Sequence, residues 1–220
     1  MRIDSNTVVV FDLDDTLYNE VDFQVDAFFH IADTVNRLFN IEIDKKEVMD
    51  EIANKRDVIG YFCHYLPKST SIRDTLLWLY RNHQPDIKLS QTNKLLLGRL
   101  EETSAGIEIL TDGRSFTQRA KLKSLGLERF GCLISEEWGG SKPNKARYQA
   151  VEDKYQASAY FYIGDNPEKD FIAPNAMGWH TVGLKDNGRN IHVQKVGNEP
   201  ISQPHLWIDS LSELTDFIEC

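Results

Sequence analysis

Six short runs rich in β-branched and aromatic residues constrain this chain more than any other feature: TVVVFDLD (7–14), GIEILTDG (106–113), CLISEEW (132–138), AYFYIGDN (159–166), WHTVGL (179–184) and HLWIDS (205–210). Continuous apolar runs that end in polar residues or glycine read as strands covered on both faces. Beyond residue 105, helical stretches separate most of them. SFTQRAKLKSLG (115–126) opens on a candidate cap at Ser115 and closes on Gly126, while KARYQAVEDKYQ (145–156) and SELTDFIE (212–219) have helical spacing. Strand and helix in alternation imply an α/β fold with a Rossmann-like, doubly wound parallel sheet.

Residues 20 to about 103 have another texture. DFQVDAFFHIADTVNRLF places Phe28, Ile31, Ala32, Val35 and Leu38 on a 3.6-residue repeat. DKKEVMDEIANKR opens with Asp44 and Glu47 at capping-box spacing, SIRDTLLWLYRNH repeats that with Ser71 and Asp74, and SQTNKLLLGRLEE adds a further helical segment. The expected organisation is an α/β catalytic core, residues 1–18 and 104–220, interrupted after its first strand by an all-helical cap, residues 19–103. The stretch Lys185 to Pro204, rich in Gly, Asn and Pro, reads as a long surface loop.

Charge limits the partners. A net charge of -9 argues against nucleic acid or an anionic membrane as the main partner, since both reward basic faces. Cys63, Cys132 and Cys220 are widely spaced and form no CxxC pair, which disfavours a disulfide framework or a cysteine zinc site and fits a reduced cytoplasmic location. The opening MRIDSNTVVV lacks the basic and apolar regions of a signal peptide, and no segment approaches the ~18 apolar residues of a membrane span.

In an open parallel sheet, side chains just past the carboxyl ends of the strands converge on one crevice. The first strand delivers Asp12, Asp14 and Asp15; the second delivers Thr111, Asp112 and Gly113; GGSKP delivers Lys142; GDNPEKD delivers Asp165 and Asp170. Carboxylates within about 4 Å of one another repel by roughly 4 kcal/mol per pair at an effective dielectric near 20, so protons or a cation must intervene. Mg²⁺ suits such a site: it takes oxygen ligands from one or two carboxylates and completes its shell with waters and substrate phosphate. Asp12 and Asp165 then become metal ligands, and Lys142 and Thr111 bind phosphoryl oxygens, a constellation for phosphoryl transfer.

The motifs FDLDDT, ILTDG, SKP and GDNPEKD, in this order, resemble the four signatures of the haloacid dehalogenase superfamily. The resemblance is to the subclass whose helical cap lies between the first and second motifs. It implies Asp12 as nucleophile and Asp14 as the acid that protonates the leaving alcohol and then deprotonates the hydrolytic water, with the Asp14 backbone carbonyl in the metal shell. It also implies Thr111 and the amides around Asp112 as phosphate binders, Lys142 as a clamp on nucleophile and phosphate, Asp165 as a metal ligand, and Asp170 behind Lys142 or a metal-bound water. Relatives that displace halide keep no acid at the Asp14 position, so a phosphatase is expected. The substrate would be a small phosphorylated metabolite. A phosphomutase and a non-catalytic phosphate-binding module are the alternatives. A receiver-like signalling domain would carry its phosphorylated Asp mid-chain, and the motif order here excludes it.

Other residues have plainer readings. Asp15 reads as a turn or helix-capping group, Trp138 as packing, Cys63 as a small core residue, and His30 and His180 as structural histidines; for Asp170 the competitor to the role behind Lys142 is an acid favoured by a helix N-terminus. Arg114 could reach a substrate anion. Of Lys55, Arg56, His64, Lys68, Arg73 and Arg81, one or two at most are expected to touch substrate.

Overall fold

The computed structural model describes residues 2–195 and 199–219, so Cys220 and residues 196–198 of the 185–204 loop lie outside the described residues. In chain order the elements are β1 (Thr7–Phe11), α1 (Glu20–Phe39), α2 (Lys45–Ala53), α3 (Val58–Tyr65), α4 (Thr70–Asn82), α5 (Gln91–Thr103), β2 (Gly106–Thr111), α6 (Ser115–Leu125), β3 (Gly131–Ile134), α7 (Ser135–Trp138), α8 (Ala146–Tyr155), β4 (Ala159–Gly164), α9 (Ile172–Ala176), β5 (His180–Leu184) and β6 (Leu206–Ile208). Two 3₁₀ turns, Pro200–Ser202 and Leu211–Phe217, flank β6.

The described strands form one six-stranded sheet in the order β3-β2-β1-β4-β5-β6, and every pairing is parallel. β1 is central: Val8 pairs with Gly106 on one side and Tyr160 on the other, and Phe11 with Ile109 and Ile163. Its five residues are all buried because both faces are covered. Val9 and Phe11 pack among Leu96, Leu100, Leu122 and Leu125 on the α5 and α6 side. Val8 and Val10 pack among Tyr148, Val151 and Trp179 on the α8 side. The strand order reverses between β1 and β4, so the crevice of a doubly wound sheet falls where those two strands end.

Of the five helices between β1 and β2, α1–α4 share an apolar interior of their own, built on Phe28, Ile31, Val35, Val48, Ile52, Phe62 and Leu76, whereas α5 packs Leu96, Leu97 and Leu100 against the sheet. α3 was not legible in the sequence, since its buried residues Val58, Ile59 and Phe62 span little more than one turn. Caps moved by a residue or two: Ser69, not Ser71, caps α4, and Ser115 is the first residue of α6, its amide donating to Glu136 Oε2 at 2.8 Å. The last expected helix is a 3₁₀ turn. Trp138 is 44% exposed instead of packed, and His30 is exposed too. No described helix is long and apolar enough to cross a membrane.

Candidate active site

The carboxyl ends of β1 and β4 bring the acids together. The Asp12 amide donates to Ile163 O at 2.8 Å, which extends the β1–β4 ladder by one rung and fixes the start of the acidic loop. Side-chain oxygens of Asp12, Asp165 and Asp170 all lie within 4.8 Å of one another. Lys142 reaches this cluster from the loop before α8. Its Nζ lies 2.5 Å from Asp12 Oδ1 and 2.6 Å from Asp170 Oδ1, and it donates to Tyr162 Oη at 3.0 Å.

Three negative groups facing one ammonium are under-compensated, and the proton affinities of Asp12 and Asp165 show it. Burial, opposed by Lys142, raises Asp12 to about 7. Burial, reinforced by Asp170, Asp12 and Asp15, raises Asp165 to about 9. Burial also works against the Lys142 ammonium, yet Asp12 and Asp170 outweigh it and raise its pKa. The set fits a hard divalent cation: all-oxygen donors, excess negative charge and close spacing. Asp170 is the least free of the three, because its Oδ2 accepts from Asn166 N at 2.8 Å and its Oδ1 meets Lys142. Asp12 and Asp165 are therefore the better placed ligands.

Asp14 is turned elsewhere. Its Oδ1 accepts from Lys121 Nζ at 2.7 Å and Tyr18 Oη at 2.6 Å, and its Oδ2 from Gln118 Nε2 at 2.7 Å. Burial would raise its pKa, but these donors, Lys121 first, more than reverse that and lower it. Any share of Asp14 in a metal shell would fall to its backbone carbonyl, as the resemblance implies. Glu20 sits behind the pair, 3.6 Å from Lys121 Nζ, and is raised to about 8 by burial and by Asp14.

Thr111 ends β2 with its hydroxyl accepting from Gln118 Nε2 at 2.7 Å. Asp112 accepts from the Lys142 amide at 3.1 Å and from Arg147 Nη2 at 2.6 Å. Arg147 is buried and also donates to the carbonyls of Thr111 and Leu133, tying the ends of β2 and β3 together. Asp12, Asp14, Thr111, Asp112 and Asp165 line a common cavity of about 130 Å³, together with Lys169 and His192. Asp15, with φ 55°, caps α1 by accepting from Glu20 N at 2.8 Å. Arg114 pairs with Glu136 and does not line this cavity.

Sequence reasoning did not single out Tyr18, Glu20, Gln118, Lys121, Arg147, Lys169 or His192. One signal was available: the buried face of α6 reads Thr117, Gln118, Lys121, Leu122, Leu125, a stripe whose polar members need partners inside the protein.

The sequence matches the haloacid dehalogenase-like hydrolase family over residues 9–184. Glyceraldehyde 3-phosphate phosphatase of Methanocaldococcus jannaschii is 28% identical over 235 aligned positions, covering 96% of this chain and 96% of that protein. Ribulose-1,5-bisphosphate 5-phosphatase of Halopiger xanaduensis is 30% identical over 138 positions, 60% of this chain and 58% of the relative. The magnesium-bound HAD-hydrolase YfnB of Bacillus subtilis superposes with a TM-score of 0.65 at 19% identity, covering 98% of each chain. Family match and parallel-sheet fold agree over most of the sequence: the chain belongs to the haloacid dehalogenase-like hydrolase family and is a hydrolase.

Proposed function

We propose that this hydrolase is a Mg²⁺-dependent phosphatase that releases phosphate from a small phosphorylated metabolite by way of an acyl phosphate on Asp12. The observation that carries this reading is the meeting of Asp12, Lys142, Asp165 and Asp170 at one sheet end. The phosphatase names of the two sequence relatives support it.

A bound Mg²⁺, held by Asp12 and Asp165, would supply charge neutralisation at the phosphoryl oxygens. The chain's own groups do the rest. Lys142 orients Asp12 Oδ1 and offsets part of the effect of burial on that carboxylate. An Asp12 oxygen attacks phosphorus, the ester P–O bond breaks, and a proton from Asp14 passes to the departing oxygen. Water then attacks the phosphorus of the acyl phosphate, giving its proton to Asp14; the P–O bond to Asp12 breaks and phosphate leaves. Asp14, with donors on both oxygens and a lowered pKa, is ionised before substrate binds, so the proton it hands to the departing oxygen arrives with the ester bound as its monoanion, and the ionised form then takes the proton of the water. Thr111, the amides beside Asp112 and Lys142 bind the non-bridging oxygens of the phosphoryl group as it is transferred, and Asp170 steadies Lys142. Residues 1–18 and 104–220 form the catalytic core in this reading, and residues 19–103 a cap that keeps bulk water from the intermediate.

The test is phosphate release from a panel of sugar, nucleoside and aryl phosphates with and without Mg²⁺. Release that requires the metal is expected. Mg²⁺-saturated protein that turns over none of the panel sinks the proposal.

A further inference from the structure

A strap of chain following β5, residues 186–192, touches the acid cluster on one side and the helical insert on the other. Asp186 Oδ1 folds it by accepting from the amides of Gly188, Arg189 and Asn190 at 2.7, 3.1 and 3.1 Å. Two contacts fasten it to the strand ends: Asn190 Nδ2 donates to Asp165 Oδ2 at 2.9 Å, and the Ile191 amide donates to Asp15 Oδ2 at 2.9 Å. Among the described residues, Asn190 is the side chain that donates to the Asp165 carboxylate. Its two neighbours in sequence are gripped by the insert. Arg189 Nη2 donates to Asp22 Oδ1 of α1 at 2.5 Å, and Lys55 Nζ, just past α2, donates to the Ile191 carbonyl at 2.7 Å and more weakly to the Asn190 carbonyl at 3.4 Å. Lys55 holds this position with φ 53°, a left-handed backbone that non-glycine residues seldom adopt.

We propose that Asn190 is a positioning residue for the cation ligand Asp165, and that Lys55 holds the strap that carries it, so that the helical insert takes part in building the metal site. This rests on the reading above, in which Asp165 holds a divalent cation. Mg²⁺ demands near-octahedral geometry and gains little from a carboxylate free to rotate. Asp165 faces Asp12, Asp170 and Asp15, all of which repel it. One oxygen tied to Asn190 leaves the other presented to the cation, and partners of this kind govern ligand orientation and affinity.

The test is calorimetric titration of metal-free protein with Mg²⁺. Asn190→Ala is expected to weaken binding by about 10–100-fold, the range for loss of a ligand's hydrogen-bond partner. Its melting temperature without metal should match the wild type, and its phosphatase rate should recover at saturating Mg²⁺, which a damaged fold would not allow. Lys55→Ala, at an exposed position, should weaken Mg²⁺ binding by about three-fold, the scale of one exposed hydrogen bond from a charged group. In the Asn190→Ala background it should add nothing, because both changes act through one strap. Affinity within two-fold of wild type in Asn190→Ala overturns the positioning role, and additive effects overturn the part given to Lys55. A wild-type chain that binds no Mg²⁺ overturns the cation reading itself, an outcome distinct from either.

Discussion

The ammonium of Lys121 lies 2.7 Å from Asp14 Oδ1, in a pair whose lysine side chain is 3% accessible and whose aspartate is 16% accessible. The same ammonium stands 4.4 Å from the centre of the Phe23 ring. A lysine this dry persists only because carboxylates face it. Lys121→Met would strand Asp14 with Tyr18 and Gln118 as its donors. Loss of about 3 kcal/mol or more in denaturant unfolding at pH 7 is expected, the scale for breaking a buried pair from one side. A fall in kcat of about 10²-fold should accompany it, since proton transfer contributes on that order. Unfolding and turnover like the wild type would mean that Lys121 is a bystander.

Asp12→Asn keeps the backbone rung to Ile163 and the side-chain volume while removing the oxygen proposed as nucleophile. Phosphate release should fall by about four orders of magnitude or more, as for nucleophiles elsewhere, with an unchanged far-ultraviolet circular dichroism spectrum. A variant retaining a tenth of wild-type activity would place the nucleophile somewhere else.

Metal-free stability should decline from pH 7 to pH 9. Asp12 at about 7, Glu20 at about 8 and Asp165 at about 9 all lie above the ordinary carboxylate value. An acid raised on folding binds more protons folded than unfolded, so stability drops as pH climbs from the unfolded toward the folded value. His83 and His180, lowered chiefly by burial, oppose the decline only near pH 7, where the unfolded imidazoles complete their titration. The expected drop in melting temperature is about 2–4 °C or more, and saturating Mg²⁺ should remove most of it by taking the protons' place. Metal-free protein whose melting temperature holds or rises over that range contradicts this account.

Arg147 joins Asp112 to the carbonyls of Thr111 and Leu133. Arg147→Lys keeps the charge but loses the planar fork that serves several acceptors at once. Both Arg147→Lys and Arg147→Met should unfold about 2 kcal/mol or more earlier than wild type, and KM for substrate should rise because the Asp112 loop loses its anchor. Rescue by lysine would show that charge alone matters at this position.

The sheet, the helical insert and the acids at the strand ends were legible because each rests on a local pattern. β-branched runs mark strands, a 3.6-residue repeat marks α1, and polar residues closing a buried strand have few places to go. The partners of those acids were not legible. Lys121 and Gln118 look like ordinary polar residues of a helix, and only the docking of α6 beside the β1 loop makes them face Asp14. Arg147 was hidden for the same reason in α8. Asn190 lies 25 positions from Asp165 in a segment with no periodicity, so nothing local joins them.

The place of β1 in the sheet also dictates an order of assembly. Its hydrogen-bonding neighbours, residues 106–109 and 159–163, follow it by about one hundred and one hundred and fifty positions. A nascent chain thus carries its earliest strand unpaired on both edges while the helices after it, with an interior of their own, can already condense. Asp12, the proposed nucleophile, sits one residue beyond that strand, so catalytic competence is among the last properties the growing polypeptide acquires.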